Sequence, residues 1–360
     1  MEKDLSVAWQ RAAFAEPDIL PLYGSSELIK HFGNEPQRFF SAYPTGFAIS
    51  PAGRGGCTSL NLAEKIGAAA VGGSPGRRVV ICLSPSWFLH RDLHHRWYLG
   101  NFSPDQARML IFRRDLSLDL KREFARRMLA YPDSLGHEPL LAFALRHLVG
   151  NAPMDAALFR AVEPVGRAGV ALSGIRDHFA FAGHILFDRE LRHVPARHAQ
   201  VLDWEGILAD ENPAGAASSP EKVDEYPPRF SNDESFTQVI TVAREWQDLE
   251  LLLRLNRELH LEPLLLSIPI DYEYYRTAGV SAASLDLYTE RLHALAQRYD
   301  VALIDFPEHR HDPSFFADHN DHLSARGWLY LDRALDFYYH AAPHQRYFAP
   351  VEANYQDWYP

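Results

Sequence analysis

Short apolar runs alternate with longer amphipathic stretches along most of this chain. The runs that are apolar at nearly every position occupy residues 18–24, 78–84, 262–269 and 301–306. Strands of a parallel sheet have this composition because helices cover both faces of the sheet. The amphipathic stretches predict helices over residues 59–70, 104–150, 239–260, 284–299 and 328–340. Strands separated by helices of this length predict an α/β fold, a three-layer αβα sandwich with a central parallel sheet.

The predicted strand ends indicate where a ligand would bind. In open parallel sheets, ligands bind at the carboxyl ends of the strands. The residues that the pattern places at this edge are Ser26, Ser84, Pro85, Ile268, Pro269 and Phe306. We therefore expect the chemistry of this protein in the loops that follow the strands.

The region over residues 151–235 breaks the alternation. Helical patches with several His and Arg residues lead into Asp210–Pro220, a run of turn formers and small residues that is typical of an exposed loop. We predict one domain over residues 1–360, with an inserted helical and loop region over 151–235 that contains an exposed loop over 210–235.

The composition and charge exclude some classes of function. With 47% hydrophobic and 23% charged residues, the chain is typical of a globular protein with a large core. The net charge of −11 argues against a nucleic-acid binder, because phosphate contacts need a basic face. Cys57 and Cys82 are too few for a disulfide framework and match no metal spacing, so we expect buried free thiols rather than a bridge.

The start of the chain has no apolar core of a signal peptide, and no later stretch approaches 18 uninterrupted apolar residues. Two interpretations follow from this pattern. Either the protein is cytoplasmic, or a leading export or anchor segment is not part of this chain.

The first candidate for chemistry is Ser26, in the Gly24–Glu27 turn that ends the first apolar run. A hydrolase places its nucleophile at such a strand-to-helix turn, and Leu28, Ile29 and Phe32 fit one face of a following helix. Backbone N–H groups at a helix start can hold an oxyanion, which the macrodipole also favours. Serine is equally a preferred N-cap residue, and the local sequence alone favours that role.

A second candidate segment follows the last predicted strand and contains Asp318, Asp321 and His322. Ser324 fits the N-cap of the final helix, which places His322 on the loop just ahead of it. Nucleophilic attack by serine needs a base within hydrogen-bond reach and an acid that orients the base. Taken alone, these residues also fit helix-entry acids beside a surface histidine, but the order Ser, Asp, His along the chain favours a catalytic triad.

Five segments of the chain, in this order, resemble those of a known family. They are Asp18–Leu28 with its Gly-Ser-Ser-Glu turn, Gly53–Gly56, Val79–Phe88, Asn101–Gln106 and His322–Trp328. The chain resembles the DltD family, extracytoplasmic proteins of teichoic-acid D-alanylation whose fold is of the SGNH hydrolase type. The resemblance covers residues 17–125 and 236–340.

The resemblance implies a role for each residue of the triad. Ser26 would be the nucleophile, since it occupies the third place of the Gly-Asp-Ser turn of SGNH enzymes, and His322 would be the base. The usual acid lies three residues before the base, where this chain has His319. We favour Asp318, four residues before His322, because a residue adjacent to the base normally points elsewhere in an extended loop. Asp321 is the alternative acid.

The resemblance also implies an oxyanion hole. Gly56 resembles the glycine of the second SGNH block, whose backbone N–H would join that of Ser26. The asparagine of the third block has no obvious counterpart, and Ser84–Trp87 stands in its place. Either the hole is incomplete, or this loop supplies one donor.

From these residues we predict an SGNH-type serine esterase or acyltransferase that performs acyl transfer or (thio)ester hydrolysis in cell-envelope modification. The resemblance implies a D-alanyl group, an envelope polymer as substrate, and two partners: an acyl carrier protein and a DltB-like membrane O-acyltransferase. It also implies an extracytoplasmic or periplasmic location, with an N-terminal membrane anchor that is absent from this chain. The alternatives are a soluble carbohydrate or lipid esterase and a non-catalytic carrier-binding module that assists a membrane O-acyltransferase.

Three other features carry less weight. His90 and His94 lie one helical turn apart but lack a third ligand, so we predict no metal site. Trp87 and Phe88 are candidates to line the substrate site, although core packing explains most aromatic residues of this stretch. Gly53–Gly56 lacks the Lys and Ser/Thr of a phosphate-binding loop, and we predict no cofactor.

Overall fold

The computed structural model of this chain describes residues 7–70, 76–187, 199–210, 230–318 and 322–341. The helices are α1 (Val7–Ala15), α2 (Pro36–Ala42), α3 (Ser59–Ala69), α4 (His95–Asn101), α5 (Pro104–Ile111), α6 (Leu118–Leu129), α7 (Pro139–Val149), α8 (Asp155–Phe187), α9 (Trp204–Asp210), α10 (Asp233–Val242), α11 (Glu245–Glu258), α12 (Tyr272–Thr277), α13 (Ala282–Tyr299) and α14 (Ala325–His340). The strands are β1 (Ile19–Gly24), β2 (Ala48–Gly53), β3 (Arg77–Leu83), β4 (Leu261–Ser267) and β5 (Ala302–Ile304).

The five strands form one sheet in the order β2-β1-β3-β4-β5, and every neighbouring pair is parallel. This confirms the α/β fold with a parallel central sheet. The strand β2, which pairs only with β1, is not among the predicted strands. Its sequence Ala-Ile-Ser-Pro-Ala-Gly mixes polar residues and a proline, and such strands are found at sheet edges.

Side chains along the strands alternate between two hydrophobic clusters. In β3, Val79 and Ile81 join the cluster that contains α3 and α11, while Val80 and Cys82 join the one that contains α14. All four side chains are fully buried. Helices therefore cover both faces of the sheet, which makes the fold a three-layer sandwich and explains why the strands are apolar at nearly every position.

The helix expected directly after Ser26 is absent. Residues Ser26–Leu28 form a single turn of 3-10 helix, and α2 begins only at Pro36. Gly33 and Asn34, both with positive φ, intervene between the two. The prediction was wrong because the backbone leaves helical geometry at Ile29, which has a φ of −121°. So short a turn carries little macrodipole. Ile29 and Phe32, which were expected on a helix face, are 48% and 37% exposed.

Two further boundaries differ from the predictions. The helix expected over residues 239–260 is divided into α10 and α11, because Ala243 has extended ψ and the Arg244 N–H donates to Arg91 O instead of continuing the helix. The final helix begins at Ala325, directly after the expected N-cap Ser324 and three residues before the amphipathic pattern starts at Trp328. As predicted, Ser324 caps it, and the Ser324 side chain accepts a hydrogen bond from the Gly327 N–H.

The region predicted as an insertion contains the long helix α8 and the short helix α9. Most of the exposed loop predicted over 210–235 falls on residues 211–229, which lie outside the described part of the chain. The single-domain organisation with an insertion over 151–235 stays a prediction. None of the helices in the described ranges is both long enough and apolar enough to cross a membrane.

Candidate active site

The turn that carries Ser26 lies at the carboxyl end of β1. Gly24 pairs with Gly53 of β2, and both positions need glycine because the turn folds back over the strand ends. A side chain at Gly53 would lie 2.8 Å from the Ser25 carbonyl oxygen, and one at Gly24 would collide with the Glu27 carboxylate. Ser26 begins the 3-10 turn and is partly exposed, at the edge of the sheet where parallel folds bind ligands.

The histidine and the acid come from the loop ahead of α14. Phe316 and Leu323 form an isolated antiparallel bridge, and the Ala317 N–H donates to His322 O over 2.8 Å. The loop is therefore closed at its base, which brings Asp318 and His322 face to face although four positions separate them. This closure explains how an acid one residue further from the base than usual still contacts it.

Three side chains form a continuous hydrogen-bonded chain. His322 Nε2 lies 2.8 Å from Ser26 Oγ, and His322 Nδ1 lies 2.8 Å from both Oδ1 and Oδ2 of Asp318. A carboxylate only accepts hydrogen bonds, so Nδ1 carries the imidazole proton and Nε2 is free to accept from the serine hydroxyl. The His322 side chain is largely buried, at 5% exposed, while Ser26 is partly exposed. A Ser–His–Asp arrangement of this geometry can remove the serine proton during nucleophilic attack.

Asp321, the alternative acid, lies outside the described residues, as does His319. The acid that contacts His322 among the described residues is Asp318. The catalytic roles of Ser26, His322 and Asp318 remain predictions, now with a geometry that permits them.

A fourth side chain, that of Lys30, joins this group. Lys30 Nζ lies 3.0 Å from Asp318 Oδ2 and 3.2 Å from His322 Nδ1. Lys30 was not predicted, because the contact joins residues far apart in the chain. A faint signal was available: the chain has only five lysines among 36 basic residues, and one of them follows the candidate nucleophile by four positions.

Gly56, the glycine predicted to complete the oxyanion hole, belongs to the turn that follows β2. Residues 54–57 form a tight turn in which the Cys57 N–H donates to Arg54 O over 3.0 Å. Gly56 has a φ of +76°, a conformation that favours glycine. A side chain at Gly55 would come within 4.0 Å of Ser26 Cβ, and Ser25 Oγ donates to Arg54 O over 3.3 Å. The turn after β2 therefore faces the turn after β1, as an oxyanion hole requires.

The model of the DltD protein family matches residues 2–165 and 220–340 of this chain. This chain belongs to the DltD family. The protein DltD of Bacillus subtilis (strain 168) is 23% identical over 339 residues, which cover 90% of this chain and 83% of that protein. The protein DltD of Staphylococcus aureus (strain NCTC 8325 / PS 47) is 21% identical over 329 residues, 88% of this chain and 79% of that protein. The protein DltD of Lacticaseibacillus rhamnosus is 21% identical over 341 residues, 90% of this chain and 78% of that protein.

In this member of the DltD family, a buried carboxyl group supports the nucleophile turn. Glu27 is 2% exposed, and its Oε1 accepts a hydrogen bond from the Ser25 N–H. Burial raises the pKa of Glu27 from 4.5 to about 7, although the hydrogen bonds from the backbone N–H groups of Ser25 and Glu27 itself act in the opposite direction. Glu27 therefore holds the shape of the turn at the cost of burying an ionisable group.

The predicted lining residues of this DltD-family site are buried. Phe88 is fully buried and packs on Trp246, with ring centroids 4.2 Å apart, while Trp87 is 8% exposed. Their substrate-lining role stays a prediction, and core packing accounts for Phe88. Two other aromatic residues lie closer to the proposed chemistry. Trp97 packs on Gly56, and the Phe32 ring centroid lies 6.5 Å from that of His322.

In the loop over residues 84–87, Ser84 Oγ lies 2.6 Å from Ser86 Oγ. His90 and His94 both contact Trp97, with ring centroids 5.2 Å and 5.5 Å from it. Within the part of the chain that the structure describes, no three His, Cys, Asp or Glu side chains are grouped to hold a metal ion. Both cysteines, Cys57 and Cys82, are free and buried.

Proposed function

We propose that this DltD-family chain is a serine-dependent acyltransferase or (thio)ester hydrolase that acts in cell-envelope modification. The observation that carries this proposal is the hydrogen-bonded chain from Ser26 Oγ through His322 to Asp318, at 2.8 Å for each contact. Ser26 lies almost 300 residues before His322 in sequence, and the two meet at the edge of the sheet where parallel folds bind ligands. A helix cap would need the serine but would have no use for the histidine and the acid.

The proposed reaction proceeds through an acyl ester on Ser26. Oγ attacks the carbonyl carbon of an ester or thioester while its proton passes to His322 Nε2. The carbonyl electron pair moves to oxygen, and the N–H groups of Ser26 and Gly56 stabilise the resulting oxyanion. When the intermediate collapses, the carbonyl re-forms, and the leaving alcohol or thiol takes the proton from His322.

The second half of the reaction transfers the acyl group. The hydroxyl of an acceptor, or water, gives its proton to His322 and attacks the acyl ester, and Ser26 regains a proton when it leaves. Asp318 keeps the imidazole in the correct tautomer and stabilises the imidazolium in both halves. With water as acceptor the outcome is hydrolysis, and with a polymer hydroxyl it is transfer.

Membership of the DltD family determines which acyl group and which acceptor we propose. By resemblance to the DltD family, the acyl group is D-alanyl, the acceptor is a teichoic-acid-like envelope polymer, and the site of action is extracytoplasmic. An acyl carrier protein and a DltB-like membrane O-acyltransferase are the proposed partners.

The experiment that tests the proposal is hydrolysis of p-nitrophenyl acetate and of an acyl thioester by the purified chain. The wild type is expected to hydrolyse at least one of them, and Ser26→Ala is expected to fall to the background rate. Ser41→Ala, which changes an exposed serine on α2, serves as the matched control and retains the wild-type rate. Equal rates for Ser26→Ala and the wild type would contradict the proposal and favour a non-catalytic carrier-binding module.

A further inference from the structure

We propose that Asn101 is a positioning residue that aims the backbone N–H of Gly56 into the oxyanion hole. This inference rests on the proposed function, since it explains how one donor of that hole is held in place. Asn101 is the last residue of α4 and is 3% exposed. It does not touch Ser26 in any contact of the described structure, so it would act through the turn over residues 54–57.

The conformation of the turn decides where the Gly56 N–H points. The hydrogen bond from Cys57 N–H to Arg54 O defines a β-turn in which Gly55 and Gly56 are the central residues. Gly56 has a φ of +76° and Gly55 has no positive φ, which is the pattern of a type II turn. Type I and type II turns differ mainly in a flip of the central peptide group. Flipping the Gly55–Gly56 peptide would reverse the direction of the Gly56 N–H.

Asn101 holds the other side of this same peptide group. Its Nδ2 donates to Gly55 O over 3.1 Å and to Trp97 O over 3.0 Å, while its Oδ1 accepts from Cys57 Sγ over 3.3 Å. The orientation of the amide follows from these partners, because two carbonyl oxygens need a donor and only the NH₂ group supplies one. All three contacts are short, and the side chain is buried, so the amide has little freedom to move.

The consequence follows from the planarity of the peptide bond. The carbonyl of Gly55 and the N–H of Gly56 belong to one planar group and point in opposite directions. A donor that holds the carbonyl therefore fixes the N–H on the opposite side, and it also polarises that N–H as a donor. Among the described residues, none accepts a hydrogen bond from the Gly56 N–H, so this donor is available to a ligand.

The helix α4 supports the turn in a second way. A side chain at Gly56 would lie 3.1 Å from Trp97 Cγ, so the indole packs directly on the glycine. Trp97 and Asn101 lie one helical turn apart on α4, and together they contact both central residues of the turn. The third SGNH block normally contains an asparagine, and this chain lacks it there. In this proposal Asn101 of α4 supports the oxyanion hole instead, because it positions the backbone N–H of Gly56.

The test compares kcat and KM for p-nitrophenyl acetate in the wild type, Asn101→Leu and the control Ser41→Ala. Leucine has a similar size but donates no hydrogen bond, so the peptide is released to flip. We expect Asn101→Leu to lower kcat about 100-fold, the effect of losing one oxyanion-hole donor, with little change in KM. Ser41→Ala changes an exposed serine on α2 and is expected to keep the wild-type kcat. A folded Asn101→Leu with the wild-type kcat would overturn the inference.

A second variant keeps the inference testable if Asn101→Leu does not fold. Gly56→Ala disfavours the positive φ and presses on Trp97, so it should lower kcat by a similar factor. The double variant Asn101→Leu/Gly56→Ala should be no slower than the slower single variant, because both changes disable one donor. Losses that multiply, or a Gly56→Ala with the wild-type kcat, would overturn the inference.

The same set of proteins separates the two claims. If Ser26→Ala abolishes hydrolysis while Asn101→Leu and Gly56→Ala do not lower kcat, the proposed function stands and the role of Asn101 is wrong. If Ser26→Ala hydrolyses as fast as the wild type, the proposed function fails, and the inference on Asn101 fails with it.

Discussion

Lys30 Nζ lies 3.0 Å from Asp318 Oδ2, across 288 positions of the chain. The ammonium group also lies beside the imidazole of His322, with Nζ 3.2 Å from Nδ1. Lys30 is 41% exposed and Asp318 is 21% exposed, so solvent screens the pair and its contribution to stability is small. We expect its contribution to lie in the orientation of Asp318 rather than in the free energy of unfolding.

Lys30→Met should therefore lower kcat for ester hydrolysis about two- to fivefold, the size of one exposed ion pair. Lys30→Arg should restore most of the loss, since it keeps the positive charge. In an Asp318→Asn background, Lys30→Met should have no further effect, because the lysine acts through the carboxylate. A loss of the same size in both backgrounds would contradict this role and indicate that Lys30 contacts the substrate instead.

The two candidate acids, Asp318 and Asp321, can be distinguished by the effect of an Asp→Asn substitution on kcat. Asp318→Asn keeps the shape of the side chain but no longer enforces the Nδ1–H tautomer, so kcat should fall by about 10³- to 10⁴-fold, as for other Ser–His–Asp triads. Asp321→Asn should keep a kcat close to that of the wild type. Rates for the two variants with p-nitrophenyl acetate decide the matter. A larger loss in Asp321→Asn would move the acid to that residue.

The raised pKa of Glu27 predicts that the free energy of unfolding depends on pH. Its pKa is 4.5 in the unfolded chain and about 7 in the folded protein, so the folded state binds more protons between these values. Stability contributed by this group therefore falls as pH rises from 4.5 to 7, by about 3 kcal/mol in total, and then stays constant.

Glu27→Gln removes this titration. The free energy of unfolding of the variant minus that of the wild type should accordingly increase by about 3 kcal/mol between pH 4.5 and pH 8. Urea denaturation of both proteins at both pH values gives this difference. Because the two proteins share all other titrating groups, the contributions of those groups cancel when the two free energies are subtracted. A difference that does not change with pH would show that Glu27 titrates normally.

The N-cap Ser324 connects the stability of α14 to the position of His322. Its side chain accepts a hydrogen bond from the Gly327 N–H over 3.1 Å and lies two residues after His322. Ser324→Ala should lower the free energy of unfolding by about 1 kcal/mol, the usual cost of a lost N-cap. It should also lower kcat, because the loop that carries His322 loses its anchor, whereas Ser324→Thr should preserve both. Unchanged stability in Ser324→Ala would contradict the capping role.

The sheet was predictable because helices bury both of its faces, which makes the strands β1, β3 and β4 apolar at nearly every position. The edge strand β2 escaped detection because one side of it has no neighbour and its sequence tolerates Pro51. The missing helix after Ser26 was misjudged for a different reason. The apolar spacing of Ile29 and Phe32 imitates a helix face, but both side chains lie exposed near the site.

The site was predictable only in part. The local sequence favours a helix cap at Ser26, whereas the order Ser, Asp, His along the chain and the family resemblance predict catalytic roles for Ser26 and His322. Lys30 and Asn101 contact the site through pairs of residues far apart in the chain, which spacing along a sequence cannot indicate. The role of Asp318 depends on the closed base of its loop, a tertiary contact between Phe316 and Leu323.

The central claim is that His322 activates Ser26 as a nucleophile. The most direct measurement is the rate of covalent labelling by a serine-directed fluorophosphonate, with the adduct located by mass spectrometry. We expect one adduct per chain on Ser26 in the wild type and in Ser25→Ala, and strongly slowed labelling in His322→Ala. Labelling of Ser26 at the wild-type rate in His322→Ala, or no adduct on Ser26 in the wild type, would contradict the claim.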